Sequence, residues 1–291
     1  MAANIFSITG DEYDSYQNFK NAIRNNNISN ALFLPDVFSS TQRYEKFKKI
    51  TFRSISFKNT TFERIKFIDC HFAGCLFLSS KFIQCDFSNC TFKDCNFLGS
   101  TWEKSRINPK DLKKNFDFKN DANIAVKLFQ ALYDQYKKEH QPNYAKMAKY
   151  LFIKAKYGLD YHYLDKKKIN KVTFFIRRIQ NFLHCAVSGY GVYRSRVIVS
   201  FFVFLVLAAC LNHYLQEVIF MLDIPAKKVV ESTKTDYSFI QSLYYTFISV
   251  TTIGFGDMVP KSEIGRILTM FEATIGIVLI AVLLNFSGES E

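Results

Sequence analysis

Late in the chain, Thr251, Thr252, Ile253, Gly254, Phe255, Gly256 and Asp257 place two glycines at alternate positions, behind two threonines and before an acid. Glycine accepts left-handed backbone angles without steric cost, so Gly254 and Gly256 allow successive peptide carbonyls to turn toward one axis. A row of carbonyls is a coordination site for a dehydrated cation. No covalent chemistry competes with that reading: there is no Ser, His and acid cluster, phosphate loop or metal-ligand motif, and the five histidines are scattered. The residues point away from an enzyme.

Such a loop needs elements to carry it. Residues 197–215 form an apolar stretch of roughly 28 Å as a helix, close to a hydrocarbon core of roughly 30 Å. Residues 267–286 form a second. Between them, residues 237–250 are too short and too polar to cross, which suits a helix that enters the membrane and turns back. A loop at membrane depth must be shielded from lipid. Arg194 and Arg196 precede the first span, whereas the following loop mixes acids and bases, which places the N-terminal side in the cytoplasm.

From about Arg196 to Phe286 the sequence resembles the potassium-channel pore family, through Thr252-Ile253-Gly254-Phe255-Gly256-Asp257 together with Pro260, Gly265, Arg266 and Gly276. The resemblance implies a homotetramer around a shared filter. In it the carbonyls of Thr252, Ile253, Gly254 and Phe255, with the Thr252 hydroxyl, replace the water shell of K+, and no organic cofactor is implied. Thr251, Gly256 and Asp257 support the filter, and Gly276 stands where inner helices of the family bend. Phe255 replaces a frequent tyrosine and Ile248 an acid that some members carry, so Tyr244 and Tyr245 must brace the filter by other means. Glu272, the one acid inside the second span, is expected to brace the pore-helix region. Leu283, Leu284 and Phe286 are candidates for a cytoplasmic constriction. A nonselective cation channel is the nearest alternative.

The N-terminal half follows a different rule. An aromatic residue recurs every fifth position from Phe52 through Phe97 to Trp102, and Ile, Thr, Cys or Ser lies two residues before each. This resembles the pentapeptide-repeat family, whose fold is a right-handed square β-helix with four pentapeptides per coil. Phe52, Phe72 and Phe92 should then stack in one column and Phe57, Phe77 and Phe97 in another. Cys70, Cys75, Cys85, Cys90 and Cys95 fall on the small inward position, where a thiol serves as a compact apolar group. Leu76, Leu78 and Leu98 mark a candidate docking face. Some members of the family imitate DNA with an acidic surface, but Arg53, Lys58, Arg64, Lys66, Lys81 and Lys93 argue against that here, and no nucleic-acid partner is expected. A membrane-anchored interaction protein is a further alternative.

The whole reads as a multidomain membrane protein. Residues 1–49 form a cap with a helix over 11–24, and residues 50–104 the β-helix. Residues 105–168 form a helical hairpin with Ile124, Leu128, Leu132 and Tyr136 facing Tyr144, Ala148, Phe152 and Ala155. Residues 169–196 contain an amphipathic interfacial helix, and residues 197–291 the all-α two-span pore domain. A net charge of +12 asks for an anionic partner, and position selects lipid: eight Lys or Arg and no acid lie between Lys166 and Arg196. Arg177, Arg178, Arg194 and Arg196 are the expected contacts for anionic lipid. No secretory signal is visible, so both termini are expected in the cytoplasm, and the likeness to bacterial pentapeptide-repeat membrane proteins implies a bacterial plasma (inner) membrane.

Overall fold

The computed structural model describes residues 6–38, 44–215, 222–223, 238–260 and 262–285. They divide into two compact units, Met1–Phe182 and Leu183–Glu291.

The first unit is a parallel β-solenoid closed by helices. One wall stacks β1 (Asp11–Tyr13), β2 (Asn27–Phe33), β5 (Thr51–Ser56), β8 (His71–Ala73) and β11 (Thr91–Lys93). A second stacks β3 (Val37–Phe38), β6 (Thr61–Glu63), β9 (Lys81–Ile83) and β12 (Thr101–Glu103). A third stacks β4 (Glu45–Lys48), β7 (Ile65–Ile68), β10 (Asp86–Ser88) and β13 (Arg106–Ile107). Single bridges from Ser56 to Leu76 and from Leu76 to Asn96 define the fourth. Every fifth residue from Lys49 to Lys104 has positive φ, which turns the chain at each corner. Asn, Asp, Ser and Gly occupy most of these corners, and Asn and Asp enter that region at less cost than most residues.

The period of five therefore places one aromatic ring inside each short wall. Phe52 stacks on Phe72 at 4.9 Å and Phe72 on Phe92 at 5.1 Å. Phe57, Phe77 and Phe97 form the neighbouring column at 5.4 and 4.8 Å. The small inward residue does more than fill space. Each of Cys70, Cys75, Cys85 and Cys90 directs its thiol to the carbonyl 23 residues earlier, in the coil beneath, at 3.4 Å. Ser80 and Ser105 make the same contact through hydroxyls. Burial pushes the Cys85 thiol up to about 11.

The solenoid begins earlier than the period suggests. Residues 27–38 are strands of the stack and not a cap, and the expected helix over 11–24 shrinks to α1 (Tyr16–Asn21), capped by the Ser15 hydroxyl. Ile28 pairs with Phe52 and Phe38 with Phe62, offsets of 24, whereas Phe47 pairs with Phe67 at the regular 20. The four extra residues fall between Phe38 and Phe47. α1 still plugs the end: Phe19 is fully buried and meets Phe33, Phe38 and Phe57 at 5.2 to 5.7 Å. The expected docking face is also corrected, because Leu76 is fully buried and Leu98 packs against the core.

At the far end, side chains imitate the coil that would come next. Asn115, following α2 (Pro109–Lys113), accepts from the Cys95 N–H at 2.7 Å and donates to its carbonyl at 2.8 Å. Tyr136 of α3 (Ala122–Lys138) does the same to Ile107 with its hydroxyl. Gln135 donates to the Ser105 carbonyl, and Glu139 accepts from the Lys104 N–H. Exposed strand edges are thereby satisfied. α3 packs along α4 (Pro142–Asp165), burying Ile124, Leu128, Leu132, Ala148 and Ala155.

α5 (Lys171–Ser188) carries the boundary between the units, at Phe182. The second unit contains α6 (Arg194–Tyr214), α7 (Phe239–Val250) and α8 (Glu263–Asn285). α6 and α8 are long and apolar enough to cross a membrane. β14 (Leu222–Asp223) pairs antiparallel with β15 (Val259–Pro260).

Candidate ion-conduction site

α7 delivers the glycine-alternating loop. Its first turn is closed by a capping box, in which the Ser238 hydroxyl accepts from the Gln241 N–H and the Gln241 side chain accepts from the Ser238 N–H. Its end is tied by Thr251, whose hydroxyl donates to the Phe247 carbonyl at 2.6 Å. Beyond it φ is +60° at Thr252, +51° at Gly254 and +76° at Gly256, while Ile253 and Phe255 keep negative φ. Alternation in the sign of φ flips successive peptide planes, which is the geometry the glycines suggest. Thr252 is β-branched, and a left-handed angle there is costly enough that the surroundings must enforce it. Ile253 and Phe255 are exposed on the single chain at 52% and 69%.

Side chains hold the loop and its helix from behind. Tyr244 donates to the Asp257 carboxylate at 2.7 Å, so the acid after the second glycine is fastened to the pore helix. Tyr245, 2% exposed, is joined through its hydroxyl to that of Thr269 on α8. Glu272 is buried, and its Oε2 accepts from Asn212 Nδ2 at 3.1 Å, while the same Nδ2 donates to the Thr246 hydroxyl at 2.9 Å. Sequence reasoning missed Asn212 as a partner; a polar residue near the C-terminal end of the first apolar span was the available signal.

Gly276 sits in an uninterrupted α8, and a Cβ there would lie 2.3 Å from the Val250 carbonyl oxygen. Close approach to the end of α7 explains the glycine without a bend. Leu283 is half-buried and Leu284 exposed, both on α8, and Phe286 lies outside the described residues. The four arginines are not one group. Arg177 is paired with the buried Asp160 at 2.8 Å and Arg178 lies over the Tyr161 ring, so within the first unit both are held by α4 instead of turning freely toward lipid. Arg196 donates to the Cys185 carbonyl at 3.0 Å, and Arg194 is exposed.

Residues 197–290 match the model of a family described as ion channel, which supports an ion-channel domain over this part of the chain. Residues 57–106 match a model described as pentapeptide repeats, in nine copies, so the chain joins an ion-channel domain to a pentapeptide-repeat solenoid. No curated protein matches the chain.

Proposed function

We propose that four copies of this chain assemble around one axis into a channel that passes K+ in preference to Na+, through the carbonyls of Thr252, Ile253, Gly254 and Phe255 and the Thr252 hydroxyl. The observation that carries this reading is the alternation of φ through Thr252, Gly254 and Gly256 at the end of a pore helix set between two apolar spans. One chain presents one such loop, and a full oxygen shell around a cation requires several. Tetramerisation supplies them and covers the exposed Ile253 and Phe255.

In this reading the first unit and both termini lie on the cytoplasmic side of a plasma membrane, and the basic flank before α6 supports it. α5 exposes Val172, Phe175, Ile176, Ile179, Phe182 and Leu183, a face suited to the lipid interface, and carries the exposed Lys171 at its start. Through this helix the solenoid regulates the pore.

Purified protein in liposomes tests the reading. With K+ on one side and Na+ on the other, the reversal potential should follow the K+ gradient, and native mass should equal four chains. A reversal potential near zero overturns K+ selectivity and makes the protein a nonselective cation channel.

A further inference from the structure

We infer that Asn212 is the positioning residue for the filter-bearing helix, setting its height and rotation between the two spans. Asn212 lies on α6, far in sequence from the loop, and is 2% exposed. Its Nδ2 supplies two donors in fixed directions: one to Thr246 on α7 at 2.9 Å, the other to Glu272 on α8 at 3.1 Å. A single amide therefore joins all three helices. Thr246 is fully buried and spends its own hydroxyl proton on the Ser242 carbonyl at 2.8 Å, so Asn212 reads its lone pair. That hydrogen bond can form at only one rotation of α7.

A second contact lies one turn along. Val250 follows Thr246 by four residues on α7, and Gly276 follows Glu272 by four on α8, and it is these two that meet with no room for a Cβ. α7 and α8 are thus registered at two successive turns, one by hydrogen bonds through Asn212 and one by close backbone approach. Thr251, at which the filter loop leaves α7, is the next residue.

The arrangement is not the most favourable for folding alone. Asn212 Oδ1 and Glu272 Oε1 are both buried without a partner among the described residues. An apolar side chain at 212 would remove one of these orphan atoms and fill similar space, yet it could not select a register, because packing of leucine-like surfaces tolerates sliding. Polar groups kept at such a cost fit a role in specifying geometry.

The inference rests on the reading of residues 252–256 as the conduction filter. Full-length wild type, Asn212→Leu, Asn212→Asp and the double exchange Asn212→Asp with Glu272→Gln are reconstituted, and tetramer content is compared with the K+ to Na+ permeability ratio. Asn212→Leu should assemble and lower the ratio about fivefold, the equivalent of roughly one net hydrogen bond. Asn212→Asp, which sets an acid against Glu272, should lower it at least as far. The double exchange returns a donor to α8 facing an acceptor on α6 but leaves Thr246 without a donor, so it should recover assembly while the ratio stays low. Wild-type ratios in both assembled single variants overturn the inference, as does an assembled double exchange with a wild-type ratio. If neither single variant assembles, the double exchange decides: assembly with a lowered ratio supports the inference, and failure to assemble makes Asn212 a folding residue only. A nonselective wild type refutes K+ selectivity separately, and the same four proteins are then judged by single-channel conductance.

Discussion

Gly276 of the second span passes Val250 so closely that a Cβ on the glycine would stand 2.3 Å from the Val250 carbonyl oxygen and 2.7 Å from a Val250 methyl. The nearest atom is backbone and cannot swing away. Gly276→Ala should therefore separate α8 from the end of the pore helix, costing about 1–3 kcal/mol per subunit as overpacking does. Melting temperature and permeability ratio should both fall. A hinge role alone gives a different result, in which open probability changes while melting temperature and selectivity stay at wild-type values.

The filter makes a sharper demand. Gly254 has φ of +51°, an angle that costs a residue with a Cβ roughly 1–2 kcal/mol, and the proposed assembly repeats that cost in each subunit. Gly254→Ala should abolish K+-selective flux, and Thr252→Ala, which removes the hydroxyl at the inner end of the loop, should lower the permeability ratio. Reversal potentials in mixed K+ and Na+ check both. Wild-type selectivity in both variants would remove the filter assignment.

In the solenoid, Phe77 is buried between Phe57 and Phe97, whereas Lys58 is exposed on the outer surface. Phe77→Ala should destabilise the first unit by about 3–5 kcal/mol, and Lys58→Ala by no more than about 0.5 kcal/mol. Thermal unfolding of the whole protein, followed by far-ultraviolet circular dichroism, measures the difference. Equal effects at the two sites would contradict the inward register.

These sites differ in how far the sequence exposes them. The aromatic ladder was legible because each coil repeats one local rule, and stacking at 20 residues follows from it. The first coil obeys the same rule at Ile28, Phe33 and Phe38, but the extra residues before Phe47 break the count, so the periodicity does not reveal it. The closing contacts of Asn115 and Tyr136 were not legible, because side chains there substitute for backbone and the partners depend on how the chain folds back. Asn212 was hidden for a related reason: one amide in an apolar span does not declare a partner 60 residues away. Charge and position identify Arg177 and Arg178 as part of a basic segment but not the acid and ring that hold them.

The pairing of Arg177 with Asp160 bears on how motion would reach the pore. Asp160 is buried on α4 and accepts from Arg177 of α5, and Tyr161 beside it packs edge-on against Phe174 at 5.2 Å and beneath Arg178. The first half of α5 is therefore fastened to the helical hairpin, which Gln135 and Tyr136 fasten to the solenoid. A displacement of the solenoid would be carried into α5 through this joint, and on through residues 189–193 into α6. Asp160→Asn leaves Arg177 without its charged partner and should cost about 1–3 kcal/mol locally, since a half-exposed arginine recovers part of its hydration. With the joint loosened, open probability in reconstituted bilayers should shift while the permeability ratio stays at its wild-type value. Arg177→Gln should shift it in the same direction, and combining the two should add little, because both remove one interaction. Open probability equal to wild type in all three would mean that α5 transmits nothing through Asp160, and coupling between solenoid and pore would have to run through another contact.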